Sequence, residues 1–250
     1  MTWKTALYYT QFWLVLSLTS GLLTDEEKTQ ILDLHNQYRS MVTPQAANMQ
    51  HMLWDNTIAQ VAANYSTQCT WEHNSKVNGT LGESLFMTLG PLIITQPMTI
   101  WFNERQNYHF NNNSCTEGKL CGHYTQIVWA NTTFVGCAAH FCPDVPNFKV
   151  QNATILVCNY FPPGNILRQS PYQEGPACFS CPNGTKGCVD NTCDLSTNFT
   201  SGVSAALIAN LTTMENLANT TSAGSSAGFT KPSAATLMLA GLIAFYFRMI

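Results

Sequence analysis

The sequence predicts an α+β layered domain followed by a small disulfide-rich hinge, and three observations point there. Helix-period apolar patterns come first and β-rich runs later, so helices and strands are segregated rather than alternating as βαβ units. Of 250 residues, 45% are hydrophobic and only 10% charged, enough for one domain with a real core plus appendages. The ten cysteines are an even number whose distribution fits an oxidising compartment.

The first helix is expected over Asp25–Met41, with Thr24 or Asp25 as cap and Glu26 and Glu27 at the positive end of its dipole. Ile31, Leu34, His35 and Tyr38 recur at helical spacing and form one buried stripe. His35 on that stripe reads as a core histidine bonded to backbone rather than a ligand. After Thr43-Pro44, a second helix runs from its cap Asp55 to Gln68, with Ile58, Val61, Ala62 and Tyr65 inward. Met49, Met52 and Trp54 ahead of it read as core filling. Cys69-Thr-Trp-Glu-His73 closes this helix, and Gly82-Glu83-Ser84-Leu85-Phe86 then sets a lone glutamate directly before apolar residues, an odd place for a solvated charge. Leu89–Pro97 is expected as an apolar loop, either core or a surface contact. A third helix is expected over Met98–Tyr108, with Glu104 and Tyr108 on one face and Trp101 one turn before.

Strands are expected at Thr125–Trp129, Phe134–Phe141 and Ala153–Tyr160, all rich in β-branched, aromatic or other apolar residues. His123 stands at the mouth of the first of these, where a ligand, a general base and a satisfied core residue are all open readings. The CxxC at Cys178–Cys181 lies in a Pro- and Gly-rich setting, where structural disulfides are expected rather than zinc or redox chemistry.

Both termini carry processing signals. Lys4, the apolar run Ala6–Leu18 and the small residues Thr19-Ser20-Gly21 predict a secretory signal peptide over residues 1–21. Residues 196–225 form a Ser/Thr-rich stalk. The small-residue cluster around Ser225, a short spacer and the apolar tail Leu237–Phe247 predict a GPI-attachment propeptide over 226–250, with a retained membrane tail as the alternative. Sequons at Asn64, Asn78, Asn112, Asn131, Asn152, Asn183, Asn198, Asn210 and Asn219 predict a glycosylated ectodomain. Three of the 11 basic residues (Lys4, Lys231 and Arg248) lie in the two removable segments, which leaves 8 against 14 acidic ones. A net-negative ectodomain without a basic cluster argues against nucleic acid or heparin as partner.

Two longer motifs carry a resemblance. Gly122-His123-Tyr124-Thr125-Gln126-Ile127-Val128-Trp129 is similar to one signature of the CAP superfamily of cysteine-rich secretory, antigen-5 and PR-1 proteins. Ile155–Tyr160 with Phe161-Pro162-Pro163-Gly164-Asn165-Ile166 resembles its second, and His35-Asn36-Gln37-Tyr38-Arg39, Cys69–His73 and Gly82-Glu83 fit as well. The resemblance implies a three-layer α-β-α sandwich over residues 22–170, with the hinge at 171–195. It also implies a cavity built from His73, Glu83, Glu104 and His123, where His73 and His123 are candidate ligands for zinc or another divalent cation. The pairings it implies are Cys69–Cys142, Cys115–Cys121, Cys137–Cys158, Cys178–Cys188 and Cys181–Cys193. Its membrane-attached, glioma-pathogenesis-related-like branch matches the domain order, and no channel-regulating module follows the hinge.

The function expected from this resemblance is a non-enzymatic binding module at the cell surface, engaged in cell–cell recognition or in sterol and lipid binding, in a sperm or immune setting. The expected partners are the membrane, a sterol or lipid ligand and a cell-surface protein. The alternative is a metal-dependent hydrolase or protease, with Glu83 or Glu104 as general base to a metal-bound water. The chain carries no HExxH, and no catalytic residue is assigned.

Overall fold

A computed structural model describes residues 23–195. The expected signal peptide, the stalk, the attachment site at Ser225 and the sequons at Asn198, Asn210 and Asn219 lie outside the described residues. Among the described residues, no helix is long and apolar enough to cross a membrane.

Helix α1 spans Asp25–Ser40 and opens on a reciprocal capping box: Glu27 N–H donates to Thr24 Oγ1, and Thr24 N–H donates to the Glu27 carboxylate. Helix α2 spans Asn56–Ser66, with the Asp55 carboxylate accepting from Ile58 N–H at 2.9 Å. Helix α3 spans Thr95–Asn103 and tightens into a 3-10 turn over Glu104–Asn107. The expected Met98–Tyr108 helix is therefore displaced toward the N-terminus. Pro97 does not end the preceding loop; it lies in the first turn, where its missing N–H has no intrahelical partner to lose.

The central sheet has the order β1-β5-β6-β2, from β1 (Leu53–Trp54), β2 (Gly82–Thr88), β5 (Phe134–Val145) and β6 (Val150–Phe161). β1 runs parallel to β5, and the other pairs are antiparallel. Short ladders form between β3 (Tyr108–His109) and β4 (Ser114–Cys115), and between β7 (Thr185–Val189) and β8 (Thr192–Leu195) in the hinge. β5 runs four residues past the expected end. β1 covers only Phe134 and Val135, so Pro143 falls on an edge strand, where its missing donor is tolerated.

The expected strand at Thr125–Trp129 is overturned. Gly122–Ile127 forms a short helix, α4, in which Thr125 N–H bonds Cys121 C=O at 2.9 Å. Tertiary context overrides the β propensity of this run. The Glu104 carboxylate accepts the N–H groups of His123 and Tyr124 at the helix start, and Tyr124 through Ile127 are buried. β2, in turn, was not expected as a strand, because Gly82 and Ser84 break its β pattern and its apolar residues run consecutively.

The layers are those the family resemblance implies. On one face, α1, α3 and α4 pack Ile31, Met98, Trp101, Tyr124 and Ile127 against Val135, Leu156 and Tyr160. On the other, α2 places Ala62 and Tyr65 over Leu85, Ala138, Ile155 and Val157. α2 approaches β5 so closely that a Cβ on Gly136 would overlap Ala59 N and Asp55 O. Cys137–Cys158 bridges directly paired positions of β5 and β6, and Cys69–Cys142 ties the end of α2 to β5. The remaining bridges are Cys115–Cys121, Cys178–Cys188 and Cys181–Cys193.

Two buried residues of α1 lock the layers. His35 Nδ1 contacts Ile31 C=O at 2.8 Å and Nε2 contacts the Tyr160 hydroxyl at 3.0 Å, the core role expected for it. Burial pulls its pKa down to about 4. Arg39, 1% exposed, donates to the carbonyls of Gln50, Ile127, Trp129, Ala130 and Thr132. A buried guanidinium is tolerated here because carbonyl oxygens converge on its fork of donors.

Candidate metal and ligand site

Each candidate histidine is bonded to one candidate glutamate. His73, just after α2, places Nδ1 2.9 Å from Glu83 Oε1 on β2. His123, in the first turn of α4, places Nδ1 2.6 Å from Glu104 Oε1 at the end of α3. A carboxylate accepts, so Nδ1 carries the proton in both rings, which leaves Nε2 with its lone pair when the ring is neutral.

The two carboxylates are held in different ways. Glu83 has a side chain only 5% exposed, in keeping with its odd apolar sequence setting. Its Oε1 also accepts from Asn74 N–H at 2.9 Å, and its Oε2 accepts from Asn159 Nδ2 at 3.3 Å. Glu104, 11% exposed, accepts from His123 N–H, Tyr124 N–H and the His123 ring, so one carboxylate both starts α4 and aims its imidazole. Trp101 stacks on the His123 ring at 5.5 Å and 11° and blocks one face of it. His73 is the open member, with 63% of its side chain exposed against 24% for His123.

The two signatures wrap each other beside these pairs. A Cβ on Gly82 would overlap the Gln126 amide, so β2 and α4 touch with nothing between them. Gln126 Oε1 accepts from Gly164 N–H at 3.0 Å. Thr125 Oγ1 bonds Asn165 Oδ1 at 2.6 Å, and Asn165 Nδ2 donates to Gly122 C=O at 2.9 Å. Asn159, Trp101 and Gln126 all support the site, and sequence reasoning assigned none of them a role in it. Asn159 was the most accessible, as a polar residue inside an otherwise apolar strand.

Among the described residues, the one trio of His, Cys, Asp or Glu with ligand atoms within 4.8 Å of one another is Cys178, Cys181 and Cys193. Those sulfurs are engaged in disulfides, and a disulfide sulfur is not the thiolate that binds metal. The His/Glu pairs have the right chemistry: neutral imidazole is a good ligand for zinc, and a carboxylate on the far ring nitrogen is the usual orienting partner. The apolar segment before α3 is split. Leu89 and Ile93 are 70% and 61% exposed, whereas Ile94 and Met98 are core. The sequons at Asn64, Asn78, Asn112, Asn131, Asn152 and Asn183 are all exposed.

A three-layer domain stapled by three disulfides, with two more in the hinge behind it, and carrying two carboxylate-held imidazoles defines a class of disulfide-rich α-β-α modules. The chain belongs to the cysteine-rich secretory protein family, CAP, whose family model matches residues 32–160. Peptidase inhibitor 16 of Homo sapiens is 45% identical over 175 residues, 70% of this chain and 37% of its own length. The chain thus spans well under half of that relative. Cysteine-rich venom protein helothermine of Heloderma horridum horridum is 39% identical over 69% of this chain and 74% of its own. GLIPR1-like protein 1 of Homo sapiens is 38% identical over 65% and 69%. Among solved structures, NaASP2 with Zn2+ matches at a TM-score of 0.55 with 26% identity, covering 69% of this chain and 97% of that one. Na-ASP-1 matches at 0.59 with 25% identity, covering 70% and 49%.

Proposed function

We propose that this CAP domain is a non-enzymatic extracellular binding module whose ligand site is organised by a divalent cation. His73 and His123 would hold the ion through Nε2, with Glu83 and Glu104 orienting the rings. The observation that carries this reading is the pair of Nδ1–carboxylate bonds, which present the same free nitrogen on both histidines. A zinc-containing structure among the similar folds supports it. Bound zinc would supply a Lewis-acidic point that carboxylate or carbonyl oxygens of a ligand can reach.

A binding role is favoured over hydrolysis because the sequence carries no HExxH, and every cysteine is disulfide-bonded. Two of the relatives are named as peptidase inhibitors rather than peptidases. Exposed Leu89 and Ile93, with Ile100 on α3, support a contact with a sterol, a lipid or an apolar partner face. Display on the cell surface through a lipid at Ser225 belongs to the same proposal, and so do the sperm or immune setting and a cell-surface protein partner.

Calorimetric titration of the ectodomain with zinc tests the site. Binding near 1:1 that is abolished in H73A/H123A supports it, and unchanged binding in that variant refutes it. Hydrolysis of a peptide or ester library by the wild type but not by the folded double variant would replace the binding module with an enzyme. Phosphatidylinositol-specific phospholipase C should release the protein from cells, and retention would favour a spanning tail.

A further inference from the structure

The five disulfides differ in how an external reagent meets them. Cys69–Cys142, Cys115–Cys121, Cys137–Cys158 and Cys181–Cys193 each include at least one buried cysteine: Cys142, Cys121, both members of the third pair, and Cys193. Cys178–Cys188 does not: Cys188 is exposed and Cys178 is half-buried. Its Cys178 sulfur also stands beside a second bridge, Cys181–Cys193. The sulfurs of Cys178, Cys181 and Cys193 lie within 4.8 Å of one another, although Cys178 is bonded to neither of the other two. In addition, Cys178 is held at φ +62°, a left-handed conformation unfavourable for a residue with a Cβ.

We propose that Cys178–Cys188 is a covalent modification site for a low-molecular-weight thiol, and that the sulfur cluster relays the exchange to Cys181. A thiolate attacks the exposed Cys188 sulfur. A mixed disulfide forms there, the Cys178–Cys188 bond breaks, and its electron pair leaves on Cys178. The Cys178 thiolate then attacks Cys193, forms Cys178–Cys193, and displaces Cys181 as a thiolate that takes the proton of the entering thiol. One thiol is consumed, one mixed disulfide and one protein thiol are made, and no oxidant is needed. The direction follows from solvation. Thiolates leave fastest where they are stabilised, and Cys181 is half-buried whereas Cys193 is 0% exposed. β8 stays docked through the relay, because Cys193 N–H donates to Met49 C=O at 2.7 Å and its carbonyl accepts from His51 N–H at 2.9 Å.

The experiment treats the full secreted chain with glutathione, quenches in acid, alkylates free thiols and maps disulfide-linked peptides. The expected result is glutathione on Cys188, a new Cys178–Cys193 linkage and alkylated Cys181, before any of the three bridges within residues 69–158 opens. Alkylation at Cys178 with Cys181–Cys193 intact overturns the relay. Glutathione appearing first at any other cysteine, or at none, overturns the site. C181S/C193S should still take glutathione on Cys188 but leave the free thiol on Cys178, and loss of the adduct in that variant would also count against the order of steps.

Discussion

Acidification should weaken this fold through one residue. His35 is fully buried, and its pKa is pulled down to about 4, first by desolvation and against the bond to Ile31 C=O, with Arg39⁺ adding to the lowering. In the unfolded chain the same ring titrates near about 6.5. Between these values the unfolded state binds the extra proton, so stability rises with pH and is fully present only above about 6.5. Lowering the pH from 7.5 to 4.5 should therefore cost about 2.5 kcal/mol from this group alone, approaching about 3 kcal/mol below pH 4. Against a typical total of about 5–15 kcal/mol, that is a large fraction. Urea unfolding with disulfides intact, at several pH values, measures it. The reference is His35→Gln, whose amide can donate to Ile31 and accept from Tyr160 without titrating in this range. The difference between the two pH profiles should carry the loss. Parallel profiles would refute the neutral, buried assignment of His35.

Three further outcomes follow from the same packing. Arg39→Met removes a donor from the carbonyls of Gln50, Ile127, Trp129, Ala130 and Thr132, of which Trp129 keeps Thr132 N–H and Ala130 keeps Gln50 N–H, and should cost at least about 3 kcal/mol in urea unfolding, since each buried acceptor left unpaired costs about 1–3 kcal/mol. Gly136→Ala drives a Cβ into the α2 backbone and should cost at least about 1–3 kcal/mol, because no flexible side chain can yield there; a neutral result would mean that α2 can shift off the sheet. Asn159→Ala removes the donor to Glu83 Oε2 and should weaken zinc binding by about 10-fold, with the unfolding midpoint as control.

Much of the fold was legible because its signals are local. The caps Thr24 and Asp55 and the spacing of Ile31, Leu34, His35 and Tyr38 define α1 and α2 from within their own windows. The stretch Gly122–Ile127 was misread because its β-branched and aromatic residues say strand, while the group that starts the helix, Glu104, lies 19 residues earlier. β2 escaped notice for a related reason: Gly82 is required by the Gln126 amide pressed against it, a contact between distant segments. The site shows the same division. The residue types at His73, Glu83, Glu104 and His123 suit a divalent cation and their placement came from family resemblance, but neither specified that each glutamate would take the Nδ1 of one histidine. The Asn159 bond that steadies Glu83 crosses from β6 to β2, and its partner emerges only once their register is known.

The central claim is that two oriented imidazoles share one cation through Nε2. An anomalous difference map from zinc-soaked crystals of the ectodomain tests it most directly. The account predicts one peak within about 2.0–2.1 Å of Nε2 of both His73 and His123, with Glu83 and Glu104 still on Nδ1. A peak on one histidine alone, on Nδ1, or away from both rings would contradict it.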